Sequence, residues 1–187
     1  MSADVLVEKK KLDNPPLEIH HIGDRVLRMN AKRIAKVDAE TRLLVREMLQ
    51  TMYSADGIGL AAPQVGIHKQ LIVIDCDPEN AANRPLILIN PTIKQISKQL
   101  CSYQEGCLSV PGVYMDVVRP EVIEVSYKDE LGRPQSLKAT GLLSRAIQHE
   151  MDHLNGVLFV DRVENQLALT EELRKHGFSH RDVKIMS

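Results

Sequence analysis

At 187 residues the chain is long enough for one domain with a substantial core and short for two. Hydrophobic residues make up 43% and charged residues 26%, and 24 basic against 25 acidic side chains leave a net charge of -1. That balance excludes the cationic field that nucleic acid or an anionic membrane surface would require, and the longest aliphatic runs, at 71–74 and 86–89, are far too short to span a bilayer.

Residues 1–16 are polar and carry Lys9-Lys10-Lys11, with neither the apolar core of a signal peptide nor the Arg- and Ser-rich, acid-poor composition of a transit peptide. They read as a mobile tail ahead of a single domain over 17–164, with a C-terminal helix and tail over 165–187. The protein is expected to be cytoplasmic. The three cysteines, Cys76, Cys101 and Cys107, are too few and odd in number for a disulfide framework. Cys76 and Cys101 read as small buried hydrophobes.

Asp38 is a plausible cap for a first helix running to about Tyr53, with Leu44, Val45, Met48, Leu49 and Met52 at helical spacing. Asp56-Gly57 ends it. The stretch 57–66 that follows is too rich in Gly, Ala and Pro for a helix, and small enough for another backbone to approach. Short β-type runs come next at 71–75, 86–90 and 92–97, and later 122–127 and 135–139 flank a hairpin turn at Leu131-Gly132. Thr140 can cap a second long helix that Gly156 would stop, and a last, modest helix spans about 165–175. Strands come in clusters rather than alternating with helices, which indicates an α+β fold: short antiparallel strands packed around a central metal-binding helix in a single domain.

That central helix carries His149-Glu150-Met151-Asp152-His153. Residues four apart share a helix face, so both imidazoles can reach one ion, while Glu150 lies beside it, free to handle the protons of water. His176 and His180 share the spacing, but Gly177-Phe178-Ser179 breaks helix geometry between them and supplies no carboxylate, so that pair is given no function. A catalytic metal usually takes three protein ligands. Downstream, Asp161, Glu164, His176 and His180 offer no convincing context. Upstream lies Cys107, in a tight turn over 105–109, where it is either a thiolate pointing inward or a small buried hydrophobe.

Three stretches, Gly57-Ile58-Gly59-Leu60-Ala61-Ala62-Pro63-Gln64, Glu105-Gly106-Cys107-Leu108-Ser109 and Gln148-His149-Glu150-Met151-Asp152-His153, resemble the signature motifs of peptide deformylases in order and separation. The resemblance runs from about Ile19 to Val163. It implies a metal-dependent amidase that removes the formyl group from the N-terminal formyl-methionine of newly made polypeptides and releases formate. By position it implies Cys107, His149 and His153 as metal ligands and Glu150 as general acid/base. It also implies Gln64 and the backbone N–H of Leu108 as donors to the developing oxyanion, and Glu105 with Arg119 as a supporting ion pair, for which an exposed surface pair is the alternative. The metal implied is Fe2+, with Zn2+, Ni2+ or Co2+ able to occupy the site.

Leu142, Arg145 and Ala146 share the face of His149. Leu142 and Ala146, with the aliphatic stem of Arg145, are expected to wall a methionine pocket, or else to be plain core. The formylated peptide is expected to lie extended beside Ile58-Gly59 and Gly106 as an added strand. The partners expected are N-formyl-methionyl nascent peptides, with no nucleic-acid binding of its own and no membrane. Transient ribosome association is also considered, although Arg174, Lys175, Arg181 and Lys184 are dispersed and do not form the longer basic C-terminal helix of some members. Two other readings compete: a metalloprotease cutting internal peptide bonds, and a structural zinc module closed by Cys101, Cys107, His149 and His153.

Overall fold

The computed structural model describes residues 5–186. Among them, β1 (Gly59–Ala61), β2 (Leu71–Ile74), β3 (Leu86–Ile96), β6 (Val122–Lys128) and β7 (Pro134–Thr140) form an antiparallel sheet in the order β1-β2-β3-β6-β7. A separate antiparallel hairpin pairs β4 (Leu100–Cys107) with β5 (Val110–Pro120). Helix α1 (Ala39–Ser54) covers one face of the sheet and α2 (Gly141–Leu154) the other, and α3 (Gln166–Lys175) packs on the hairpin.

The strand β2 explains this layering. Successive side chains of a strand point to opposite faces. Leu71 and Val73 join the cluster of Val45, Met48, Leu49 and Met52 from α1, while Ile72 and Ile74 join Ala146, Ile147 and Leu154 from α2. All four are buried, which is why the run reads as continuously apolar. Burying each such side chain is worth about 1.5–3 kcal/mol, so the two helices clamp the sheet between them.

Helix α1 begins as its sequence indicates, with the Asp38 carboxylate accepting the N–H of Thr41 at 2.9 Å. It ends where Asp56 turns to φ 57° and the Gly57 N–H returns to the Met52 carbonyl. The following Gly- and Ala-rich stretch supplies β1 and one 3-10 turn, Ala62–Val65. At α2, Thr140 holds the N-cap position without a side-chain bond, and Gly156 follows the C-cap Asn155 with φ 69°. The turn at Leu131-Gly132 joins β6 to β7 as expected.

Three expectations are corrected. The runs at 86–90 and 92–97 are one strand, β3, interrupted by a bulge. Pro91 has no N–H for the ladder, Asn90 adopts φ 51°, and the register slips between Ile89 and Thr92. Two 2.8 Å bonds between the Asn90 amide and the backbone of Ile34 hold the bulge. Second, residues 105–109 are the end of β4 and a two-residue turn, Leu108-Ser109, within a hairpin that the sequence did not announce. The exposed stretch Leu100–Gln104 lacks apolar alternation, and Pro111-Gly112 interrupts β5.

Third, the segment expected as a mobile tail packs against the body over residues 5–12, residues 1–4 lying outside the described ones. Val5 is 1% exposed within the α1 cluster, and the Lys9 ammonium meets the buried Asp75 carboxylate at 2.6 Å. Polar composition did not prevent docking because the body offers a buried charge to pair.

Candidate metal centre

Helix α2 presents His149 and His153 on one face with ring centroids 5.3 Å apart, and the β4–β5 turn brings Cys107 to them. One ligating atom from each of these three residues lies within 4.8 Å of the others, and Cys107 Sγ stands 3.4 Å from His153 Nε2. The sulfur receives two further donors, the Ser109 N–H at 3.4 Å and Gln64 Nε2 at 3.5 Å. Gln64 is fixed by its own backbone: its Oε1 accepts the Ala61 N–H at 2.9 Å, which leaves Nε2 to face Ser109 Oγ at 3.1 Å and Cys107.

Glu150 is buried beside this group, and its Oε2, like His153 Nδ1, has no hydrogen-bond partner among the described residues. Burial pushes its pKa up to about 7, despite the opposing pull of His149. Burial, with His149 and Arg119 nearby, holds His153 well below the ordinary imidazole range, so it is neutral and able to ligate. For His149 burial disfavours the proton, but Cys107 and Glu105 beside it outweigh that and raise its pKa. One sulfur, two imidazole nitrogens and an unpartnered carboxylate oxygen fit a divalent transition ion with a position left open.

The orientation of His149 comes from a buried ion-pair ladder. His149 Nδ1 meets Glu105 Oε1 at 2.8 Å, so its Nε2 is the nitrogen left for a metal. Arg119 binds Glu105 through two bonds of 2.7 and 3.0 Å, then Asp152 at 2.9 Å, and Arg162 closes the ladder on Asp152 at 2.6 and 2.7 Å. Glu105 and Arg119 are both buried, which removes the exposed-pair alternative. Burial alone would raise the Glu105 pKa, but His149 and Arg119 outweigh it and hold the group at about 2.

A cleft of about 560 Å³ opens onto the group, and Ile58, Gly59, Gly106, Leu108, Leu142, Arg145 and Ala146 line it together with Glu105, Cys107, His149 and Glu150. Arg145 plays more than the expected part. Its guanidinium leaves the pocket wall to bind Glu105 at 2.6 Å, the Val117 carbonyl at 2.9 Å and the Cys101 carbonyl at 2.7 Å. Gly59 is small for a reason the sequence did not give: a Cβ there would lie 2.6 Å from Glu150 Oε1. Sequence reasoning missed Ser109, Asp152, Arg162 and the cleft residues His21 and Tyr114. Ser109 and Asp152, each inside a quoted motif, carried a signal that could have found them.

Among the described residues, Asp161, Glu164, His176 and His180 do not join the cluster, and Asp161 is bound instead by Arg28. Cys101, expected as a buried hydrophobe, is exposed because the outer part of β4 has no layer over it. It too stands outside the cluster, which removes the four-ligand zinc module.

A family model described as polypeptide deformylase matches residues 16–168. The chain belongs to the polypeptide deformylase family. It is 74% identical over 184 residues to peptide deformylase 1 of a Nostoc species, covering 98% of each chain. A crystal structure of a peptide deformylase from Synechococcus elongatus in complex with actinonin superimposes with a TM-score of 0.95 at 65% identity, covering 96% of this chain and 98% of that one. A plant peptide deformylase structure gives 0.81 at 41% identity, covering 88% of this chain and 89% of that one. The fold is the α+β fold of these deformylases, and the chain is a metal-dependent hydrolase that removes the formyl group from nascent peptides. No helix among the described residues is long and apolar enough to cross a membrane.

Proposed function

We propose that deformylation runs at Cys107, His149 and His153, which hold one divalent ion, with Glu150 moving the protons. The observation that carries this reading is the convergence of the hairpin sulfur on both helix nitrogens beside an unpartnered, buried carboxylate. A divalent ion held there supplies a Lewis acid that brings water ionisation toward neutral pH. One thiolate with two imidazoles suits iron as well as zinc; Fe2+ is taken as the working ion, with Zn2+, Ni2+ and Co2+ able to replace it.

The chain's own residues divide the remaining work. Glu150 takes a proton from water as the water oxygen bonds to the formyl carbon, and returns it to the amine nitrogen as the carbon–nitrogen bond breaks. Formate and a free N-terminal methionine leave. A pKa near neutrality suits a group that must both accept and give a proton. The Gln64 amide and the Leu108 N–H donate to the oxygen on which negative charge builds. Loss of one such donor typically raises a barrier by about 2.7–4 kcal/mol. Glu105 and Arg119 keep His149 aimed.

Leu142, Ala146 and the stem of Arg145 receive the methionine side chain, and the peptide extends past Gly106 along the open edge of β1 at Ile58 and Gly59. The position of all six residues on the cleft wall supports this placement. The substrates are N-formyl-methionyl nascent chains met in the bacterial cytoplasm near the ribosome. The test is formate release from formyl-Met-Ala-Ser beside cleavage of its unformylated counterpart by the same metal-loaded sample. Formate release without peptide cleavage is expected; internal cleavage of the unformylated peptide would replace this reading with that of a protease.

A further inference from the structure

The N-terminal segment packs beside the passage from α1 into β1. Lys9 Nζ enters a cage of oxygens: Asp75 Oδ2 at 2.6 Å and the carbonyls of Asn83, Asn80 and Asp77 at 2.7, 2.8 and 3.5 Å. Its side chain is 12% exposed and that of Asp75 is 0% exposed. Asp75 also accepts the Tyr53 hydroxyl at 2.7 Å, Asn83 Nδ2 at 2.7 Å and the Asp77 N–H at 3.0 Å. The backbone of this same residue reaches the substrate edge, because the Asp75 N–H donates to the Ile58 carbonyl at 2.8 Å. Ile58 precedes Gly59, which pairs with Ile74 and packs against Glu150.

The rest of the segment ties down the other end of that edge. Leu12 N–H donates to Ser54 Oγ, Leu17 N–H to Thr51 Oγ1, and Lys11 pairs with Asp56, so residues 11–17 brace the passage from α1 into β1.

We infer that Lys9 is a positioning residue for peptide binding: by holding Asp75, it fixes the Ile58–Gly59 edge along which the formylated peptide pairs. The inference rests on the proposed strand-like binding at β1. Main-chain pairing at a sheet edge depends on that edge being held in place before the peptide arrives. An ammonium removed from the cage leaves a buried carboxylate unpaired, and the loop it organises relaxes with the backbone it holds. Such a change weakens binding of the peptide beyond the formyl-methionine, while Gly59 stays paired with Ile74 and keeps its place against Glu150. It therefore appears in KM rather than kcat.

The experiment compares N-formylmethionine with formyl-Met-Ala-Ser on the metal-loaded full-length protein. The wild type should show a lower KM for the tripeptide; equal values would overturn the edge-binding reading itself. Lys9→Met should raise KM for the tripeptide on the order of tenfold, about 1.4 kcal/mol, with kcat unchanged and N-formylmethionine little affected. Propylammonium added to Lys9→Ala should restore the KM. Should Lys9→Met fail to fold, Tyr53→Phe, which removes one partner of Asp75 and keeps the ion pair, should give a smaller rise with the same substrate selectivity. If the wild type prefers the tripeptide but neither variant shifts its KM, or if kcat falls equally on both substrates, the role of Lys9 is overturned and the edge-binding reading stands.

Discussion

Glu150 takes its chemistry from its surroundings. Adjacent to one ligand on α2, it is held off the cluster by helix geometry and pushed by burial to a pKa of about 7. Replacing it with Gln keeps the shape and removes the proposed proton carrier. Glu150→Gln should keep its metal, as measured by elemental analysis, and lose turnover by roughly 10²–10⁴-fold in formate release; normal turnover would end the acid/base role. At this scale, helix spacing made His149, Glu150 and His153 readable from the sequence alone. Cys107 was readable only as one of two alternatives, an inward thiolate or a buried hydrophobe, because its approach is a tertiary contact across 42 residues of chain, and the resemblance chose between them. For Arg145, spacing found the cleft but not the guanidinium's bond to Glu105, since periodicity gives a face and not the end point of a long side chain.

Helix α1, the strands β2, β6 and β7 and the turn between the last two were legible, and the hairpin β4–β5 was not. Helix α1 carried both its cap and its stripe in the sequence. Asp38→Ala should therefore cost about 1 kcal/mol in a urea titration without altering KM; a loss of activity at unchanged stability would contradict a purely capping role. The hairpin β4–β5 carried little such signal. The exposed stretch Leu100–Gln104 has no apolar rhythm, and Pro111-Gly112 lies near the start of β5. The bulge at Asn90 had the opposite effect and divided one strand into two in the reading, because Pro91 breaks the ladder locally while Ile34 supplies the missing bonds from elsewhere in the chain.

Across the whole molecule, the ladder from Arg162 through Asp152, Arg119 and Glu105 to His149 joins the segment after α2, the hairpin and the metal centre. Its acid sensitivity follows from Glu105, whose folded pKa of about 2 lies below the ordinary 4.5. A depressed carboxylate contributes stability that is fully present above about pH 4.5 and is lost as pH falls toward about 2. Urea midpoints taken across that window should fall steeply for the wild type. Glu105→Gln should be less stable at neutral pH and fall less on acidification, whereas parallel curves would contradict the assignment. The most direct test of the metal centre is X-ray absorption on the metal-loaded, full-length protein. One sulfur at about 2.3 Å with two imidazole nitrogens and one open position is expected; a shell without sulfur, or one closed by a second sulfur, would contradict it.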